Sequence, residues 1–267
     1  MISLALIGGG NMGSAIVRGA LRAAVFEPAQ VLVIEPDNAR RAALGALGCP
    51  VASEPGAARD APAILLAVKP QVFPAIAAAL APRGATGAPT IVMSIMAGIG
   101  SATIREAIGT RARVLRIMPN TPCQIGRGMT AIALGSGARA GDEAIAQRIF
   151  SAVGRVVTVD ESLIDGATAV SGSGPAYVFF LAEAMEEAAR ELGFGPAEAR
   201  LLVQQTLVGA ASLLAEGDND PAALRAAVTS KGGTTEAALR VFAESGVRDA
   251  IVRALVAARD RGRELAR

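Results

Sequence analysis

The stretch Leu4-Ala-Leu-Ile-Gly-Gly-Gly-Asn-Met-Gly-Ser-Ala-Ile-Val-Arg18 decides the fold of the N-terminal half of the chain. A short apolar run ends at three glycines, and after Gly13 apolar residues recur with a helical period. This order predicts a β-strand, a glycine turn and an α-helix. The spacing Gly8-x-Gly10-x-x-Gly13 fits the dinucleotide-binding fingerprint, whose glycines allow a tight turn, close approach of a pyrophosphate and close helix–strand contact. The helix N-terminus is therefore expected to bind phosphates.

Length and composition describe a globular chain with room for one large or two ordinary domains. The 267 residues are 52% hydrophobic and 19% charged, with a net charge of +2 and scattered basic residues, which argues against a nucleic-acid surface. Cys49 and Cys123 form neither a metal-ligand spacing nor a CxxC motif, so we expect reduced packing residues. No apolar run reaches the length of about 20 residues that crosses a membrane. We therefore expect a cytoplasmic protein with no membrane contact.

The absence of histidine excludes several reaction types. The chain has no histidine at all, and histidine is the most frequent general acid or base and the most frequent metal ligand. A Ser-His-Asp hydrolase is therefore excluded, and we expect no metal site.

Strand and helix patterns alternate through residues 1–160. Besides the first strand, short apolar runs predict strands at Val31–Ile34, Ala63–Val68, Thr90–Ile95, Val114–Met118, Ala131–Leu134 and Val156–Val159. This alternation predicts a Rossmann-like, doubly wound and mainly parallel sheet of the α/β class. Since the carboxyl ends of such strands face the ligand crevice, Ala67, Val68, Lys69 and Pro70 should lie beside the cofactor.

Glu35 follows the second predicted strand, about 20 residues after the glycines. An acidic residue there suits a hydrogen bond to the 2′-hydroxyl of an adenosine ribose and would repel a 2′-phosphate, which favours NADH over NADPH. Alternatively, Glu35-Pro36-Asp37 opens the next helix with Asp37 as its N-cap, and Arg40 and Arg41 supply phosphate-binding charge. Both interpretations stay open.

The pattern changes after residue 160, and long segments of 3.6-residue period predict an all-helical domain over 161–267. The segments are 161–170, 175–192, 196–216, 221–229, 234–245 and 247–265. Residues 199–214 are apolar nearly all round, as in buried helices. Because about 107 residues provide little interior, we expect a dimer of helical domains, with a tightly packed bundle as the alternative.

Two stretches of this domain are rich in glycine and hydroxyl residues: Ser171–Tyr177 and Thr229–Thr235. In the second, glycine N–H groups and the start of a helix would form a carboxylate site, with hydroxyls from Ser230, Thr234 and Thr235. A single loop of this kind is more often a glycine stop followed by a threonine cap. Two such loops beside a dinucleotide-binding domain favour a substrate site.

Five motifs, taken in order, closely resemble the pyrroline-5-carboxylate reductase family: Gly8–Gly13, Ala67–Pro70, Met118–Pro122, Ser171–Tyr177 and Thr229–Thr235. The likeness runs over essentially the whole chain, and the last two motifs are the most specific. The resemblance implies reduction of the cyclic imine 1-pyrroline-5-carboxylate to L-proline, the last step of proline biosynthesis, with NADPH or NADH as the hydride donor.

The resemblance also implies the roles of individual residues. Thr235 would hydrogen-bond the imine nitrogen, and Glu161 would help to orient the ring nitrogen. The substrate carboxylate would be held by Ser230, Gly232, Gly233, Thr234 and Thr235. Cofactor contacts would come from Gly8, Gly10, Asn11, Met12, Gly13, Glu35, Ala67, Val68, Lys69, Pro70 and Ala97. The helical domain would form an interlocked homodimer, and five dimers a decamer.

Two positions depart from the family pattern. Glu35 stands where many members carry a small polar residue, which leaves the usual NADPH preference open. Lys231 occupies a position often held by proline, where its charge either strengthens carboxylate binding or faces solvent.

Two other functions are alternatives to the reductase. A dehydrogenase of the 3-hydroxyacid or 6-phosphogluconate type uses a lysine inside a helix of its second domain, and no lysine here sits in such a helix. A non-catalytic dinucleotide-binding scaffold would be indifferent to Thr235→Ala.

Overall fold

A computed structural model describes residues 1–81, 90–217 and 219–265 of the chain. Its first unit is built on an eight-stranded sheet in the order β3-β2-β1-β4-β5-β6-β7-β8. The strands are β1 Leu4–Ile7, β2 Val31–Ile34, β3 Val51–Ala52, β4 Ala63–Leu66, β5 Thr90–Ser94, β6 Ala112–Met118, β7 Gly128–Leu134 and β8 Gly154–Thr158. The predicted α/β class and Rossmann-like sheet are confirmed.

The strands pair in parallel except at one place. β6 pairs antiparallel with β7, and β7 pairs parallel with β8. The reason is the connection between β6 and β7, where a short 3₁₀ turn at Thr121–Ile125 stands in place of the expected α-helix. A parallel pair needs a long crossover, whereas a short link permits only antiparallel neighbours.

Both faces of the central strands are buried, which explains why β1, β2 and β4 read as continuous apolar runs. In β1, Leu4 and Leu6 belong to one core cluster, while Ala5 and Ile7 belong to the cluster on the opposite face. The helices of this part of the chain are α1 Asn11–Arg22, α2 Asn38–Gly45, α3 Phe73–Leu80, α4 Ser101–Ile108, α5 Glu143–Ser151 and α6 Ile164–Ala167.

The C-terminal part is helical, as predicted. Its helices are α7 Gly174–Glu191, α8 Pro196–Ala215, α9 Pro221–Ala227, α10 Thr234–Glu244 and α11 Val247–Leu265. The segment expected to be one helix over 161–170 consists of a 3₁₀ turn, α6 and a π-helix at Thr168–Gly172. None of the described helices is both long enough and apolar enough to span a bilayer.

Contacts divide the described chain into two compact units. Met1–Ser173 and Ala257–Arg267 make up the sheet unit, and Gly174–Val256 make up the helical unit. The end of the last strand suggested a division at residue 160, and that boundary stays a prediction. In the structure, the turns after β8 and the end of α11 pack with the sheet.

Candidate functional site

The glycine turn after β1 is shaped by close backbone contacts. Gly8 has a φ of 104°, and a Cβ atom there would lie 2.3 Å from the carbonyl oxygen of Ala67. A Cβ atom on Gly13 would lie 2.0 Å from the carbonyl oxygen of Gly8. Because neither glycine carries a side chain, the chain can turn tightly here and α1 can pack directly against the end of the strand.

Gly10 has a different environment, since no atom lies within 4 Å of the position its Cβ would take. It is the N-cap residue of α1, and no side chain caps that helix. The first N–H groups of α1 therefore face open space with the positive end of the helix dipole behind them. This geometry fits a phosphate group and agrees with the predicted contacts at Gly10, Asn11 and Met12.

Glu35 lies beneath the glycine turn and is only 5% exposed. One carboxylate oxygen accepts a hydrogen bond from the Gly9 N–H at 2.7 Å, and the other accepts from the Asp37 N–H at 2.9 Å. Asp37 caps α2 through a 2.8 Å bond from the Arg40 N–H, as one sequence interpretation expected. Glu35 thus fixes the turn to the end of β2, a contact that sequence reasoning did not foresee.

The other predicted cofactor residues follow neighbouring strands at the same edge of the sheet. The Ala67 N–H donates to the Ile7 carbonyl at 2.8 Å, which places Ala67, Val68, Lys69 and Pro70 beside the glycine turn. Ala97 is exposed directly after β5, which pairs with β4. The structure therefore brings the predicted cofactor residues together at the carboxyl ends of β1, β2, β4 and β5.

A cleft of about 730 Å³ opens at the glycine turn and runs between α1 and α2. Gly9, Gly10 and Asn11 line it at the turn. Its charged lining consists of Arg18, Arg22 and Arg40, with no acidic side chain among the described residues that line it. The open glycine, the uncapped helix and this positive charge fit a dinucleotide. Arg18 was missed by sequence reasoning, because only the packing of α1 against α2 shows which face of α1 borders the cleft.

Glu161 belongs to a polar cluster of the sheet unit. Its carboxylate accepts from the Ser101 hydroxyl at 2.6 Å and from the Ser101 N–H at 3.0 Å, at the first turn of α4. Buried Arg116 lies 3.8 Å from Glu161 and 3.3 Å from Asp165. The carboxylate predicted to orient the substrate ring is therefore already bound by a serine and an arginine.

Asn120 connects two motifs that the sequence presented separately. Its side-chain oxygen accepts from the Met129 N–H at 2.8 Å, and its amide group donates to the Ser171 carbonyl at 3.0 Å. Ser171 lies in the π-helix, a rare element that is frequent at functional sites. Asn120 is buried, and its two hydrogen bonds hold the start of the Ser171–Tyr177 motif against the sheet.

The Thr229–Thr235 loop joins α9 to α10 in the helical unit. Gly232 has a φ of 71°, and its N–H donates to the Glu236 carboxylate at 2.6 Å. Gly233 is the N-cap of α10, and no side-chain hydrogen bond caps the helix. Ser230, Lys231 and Thr234 are exposed, whereas Thr235 is half-buried. The loop thus combines a turn that holds a carboxylate with an uncapped helix start.

Both cysteines are packing residues. Cys49 and Cys123 are unpaired and buried, and burial raises the pKa of each thiol because it disfavours the charged thiolate. Neither therefore has the thiolate character of a nucleophile.

Comparisons with known proteins extend these observations. A family model described as pyrroline-5-carboxylate reductase dimerisation matches residues 161–265, and one described as NADP oxidoreductase, coenzyme F420-dependent, matches residues 3–98. The pyrroline-5-carboxylate reductase of Synechocystis sp. is 41% identical and aligns over 99% of this chain and 98% of its own length. That of Pseudomonas aeruginosa is 39% identical over 98% of this chain and 96% of its own.

Solved structures agree. A pyrroline-5-carboxylate reductase from Coxiella burnetii superposes with a TM-score of 0.90 at 32% identity, covering 100% of this chain and 99% of that one. The Plasmodium falciparum pyrroline carboxylate reductase with NADP bound gives a TM-score of 0.86 at 25% identity, covering 100% of this chain and 98% of that one.

The fold, the glycine turn and the matched models define an NAD(P)H-dependent oxidoreductase with a sheet domain followed by a helical domain. Because close relatives align over nearly the whole chain, the chain belongs to the pyrroline-5-carboxylate reductase family. The resemblance noted from the sequence is confirmed, and the dehydrogenase and scaffold alternatives are rejected.

Proposed function

We propose that this chain reduces 1-pyrroline-5-carboxylate to L-proline with a hydride from NADPH or NADH, the last step of proline biosynthesis. The observation that carries the proposal is the alignment to pyrroline-5-carboxylate reductases over 99% of the chain at 41% identity. The chemistry suits a chain without histidine. An iminium carbon accepts hydride readily, so the protein's contribution is chiefly the orientation of two bound molecules.

The sheet unit would bind the cofactor. The N–H groups at Gly10, Asn11 and Met12 would hold the pyrophosphate, supported by the open space above Gly10. Ala67–Pro70 and Ala97 would line the same crevice farther along the sheet edge. When bound, the reduced nicotinamide supplies the hydride.

The helical unit would bind the substrate through the loop before α10. Its uncapped first turn leaves the N–H groups of Thr234 and Thr235 available to a carboxylate. The Gly232 N–H donates to the Glu236 carboxylate, so the substrate carboxylate would bind the free N–H groups at the start of α10. Ser230 and Gly233 would also contact the substrate carboxylate.

Thr235 would hydrogen-bond the ring nitrogen. A threonine hydroxyl is too weak an acid to protonate that nitrogen by itself, so we assign Thr235 to orientation or proton relay. The proton comes from water or arrives on an already protonated imine. Because Glu161 is bound by Ser101 and Arg116, we assign it to holding the first turn of α4 rather than to the ring.

We also propose a homodimer formed through the helical unit, with a decamer of five dimers as the larger assembly. The matched model for residues 161–265 describes dimerisation, and exposed apolar side chains such as Phe180 and Leu201 support it. The free, buried cysteines fit a reducing compartment, and hence the cytoplasm.

The test is an assay of NADPH and NADH oxidation with and without 1-pyrroline-5-carboxylate, followed by chiral detection of proline. We expect substrate-dependent oxidation with at least one cofactor, and one L-proline formed per cofactor oxidised. No turnover with either cofactor would refute the proposal.

A further inference from the structure

The choice between NADPH and NADH depends on which charged groups meet the adenosine 2′-position. An acidic residue at the end of the second strand normally binds the ribose hydroxyls and repels a 2′-phosphate, whereas a nearby arginine accommodates the phosphate. This chain has both an acid, Glu35, and arginines in the adjacent helix. The hydrogen bonds and the exposure of these side chains indicate which of them can meet the 2′-position.

Glu35 is occupied by the backbone. Its two carboxylate oxygens bind the N–H groups of Gly9 and Asp37 at 2.7 and 2.9 Å, and it is 5% exposed. It is not among the residues that line the cleft beside the glycine turn. Glu35 therefore supports the turn from below rather than facing a ligand above it.

Arg41 is likewise occupied. Its guanidinium donates to the carbonyls of Glu35 and Pro36 at 2.8 and 2.9 Å, and also to the Asn38 side chain. These bonds close the loop between β2 and α2. Arg41 thus shapes the loop, because three of the five donors of its guanidinium are held there.

Arg40 and Arg18 differ from both. Arg40 on α2 and Arg18 on α1 line the cleft that opens at Gly9 and Gly10. Both are exposed, and neither guanidinium has a hydrogen bond or ion pair within the part of the chain that the structure describes. Two unpaired guanidinium groups on opposite helices provide the donors that a phosphate requires.

We propose that Arg40, with Arg18 across the cleft, selects NADPH over NADH by binding the 2′-phosphate, and that Glu35 is a positioning residue of the glycine turn. This inference rests on the proposed function for its cofactor class. It reverses the preference that the position of Glu35 suggested from the sequence.

The test measures dissociation constants of NADPH, NADH, 2′,5′-ADP and 5′-AMP for the intact chain by isothermal titration calorimetry. Arg40→Gln is expected to weaken NADPH and 2′,5′-ADP by roughly 10- to 100-fold, the range for a lost hydrogen bond to a charged group, with NADH changed less than about threefold. Arg18→Gln should act in the same direction. Arg155 is an exposed arginine on β8, and Arg155→Gln is the charge-matched control. It should leave the ratio of the NADPH and NADH dissociation constants unchanged.

Glu35→Gln separates the two roles of the acid. As a positioning residue, it should weaken NADPH and NADH by the same factor and lower the thermal unfolding midpoint. The inference is overturned if Arg40→Gln and Arg18→Gln both leave the NADPH:NADH ratio of dissociation constants unchanged, or if Glu35→Gln strengthens NADPH binding relative to NADH binding. Since 2′,5′-ADP contains no nicotinamide and the titration contains no imine, these results stand or fall separately from the reductase assay.

Discussion

The two units of this chain differ in how much of their apolar surface is buried within the chain. The sheet unit covers both faces of its central strands, and residues such as Leu6 and Leu65 are fully buried. In the helical unit, the only buried apolar side chains among the described residues are Ala189, Ala199 and Val203. Large apolar groups there stay outside, with Phe180 at 73% and Leu201 at 67% exposed. The first unit has a core of its own, whereas the second requires a partner surface.

The same contrast separates general from specific function. A glycine turn, an uncapped helix and a positive cleft would serve many dinucleotide enzymes, as the sheet fold hosts many reactions. The loop before α10 is where we place the substrate. Variants in the two units should therefore affect different measurements.

The largest effect is expected for Thr235→Ala, which removes the hydroxyl proposed to meet the ring nitrogen. The ratio kcat/KM for 1-pyrroline-5-carboxylate should fall by roughly 10² to 10⁴, the range for a lost proton-transfer or orienting group. The dissociation constant of NADPH should stay unchanged, because the change lies in the helical unit.

Two matched variants control this prediction. Thr235→Ser keeps the hydroxyl and should retain most activity, and Thr103→Ala alters an exposed threonine of α4 without effect. Equal kcat/KM values for Thr235→Ala and the wild type would remove Thr235 from catalysis.

The next effect concerns assembly. Replacing Phe180 and Leu201 together by Glu should raise the dimer dissociation constant by at least roughly 10²-fold, since burial of each large apolar side chain contributes about 1.5–3 kcal/mol. Sedimentation velocity at several concentrations would show the shift toward a 26.9 kDa monomer. Ile125→Glu is the control, because Ile125 is 76% exposed in the sheet unit. A wild-type chain that is monomeric at all concentrations would contradict the proposed interface.

A smaller effect is expected for Asn120→Ala, which leaves the Met129 N–H and the Ser171 carbonyl unpaired. Each buried group left without a partner costs about 1–3 kcal/mol, so the thermal unfolding midpoint should fall clearly. KM for the imine should rise more than kcat falls if Asn120 positions the π-helix. An unchanged midpoint would show that water replaces the amide.

The smallest effect is expected for Glu161→Gln. The amide oxygen can still accept from Ser101, and the pair with Arg116 is long at 3.8 Å and partly exposed. We expect a slight loss of thermal stability and an almost unchanged KM for 1-pyrroline-5-carboxylate. A large rise in KM would return Glu161 to the substrate, as the sequence suggested.

Sequence reasoning succeeded where local pattern dictates structure. The runs at Val31–Ile34 and Ala63–Leu66 are strands because an uninterrupted apolar run suits a sheet buried on both faces. Helix starts at Pro196 and Pro221 agree with the preference of proline for the first turn. The edge strand Val51–Ala52 was missed, since two residues carry no periodic signal.

Features that depend on distant residues could not be read from the sequence. Glu35 is acidic at the expected place, but its hydrogen bond to the Gly9 N–H joins residues 26 positions apart and was not visible in the sequence. Asn120 and Ser171 are 51 residues apart, and Ser101 and Glu161 are 60 apart. Each motif could be recognised in the sequence, but only the folded structure shows which side chains are in contact.

The division of labour between the units is tested most directly by a crystal structure of the chain with a nicotinamide dinucleotide and L-proline. The pyrophosphate is expected on the N–H groups that follow Gly10, and the proline carboxylate on the loop Ser230–Thr235, with the Thr235 hydroxyl at hydrogen-bond distance from the ring nitrogen. Proline bound away from that loop, with Thr235 out of contact, would contradict the assignment.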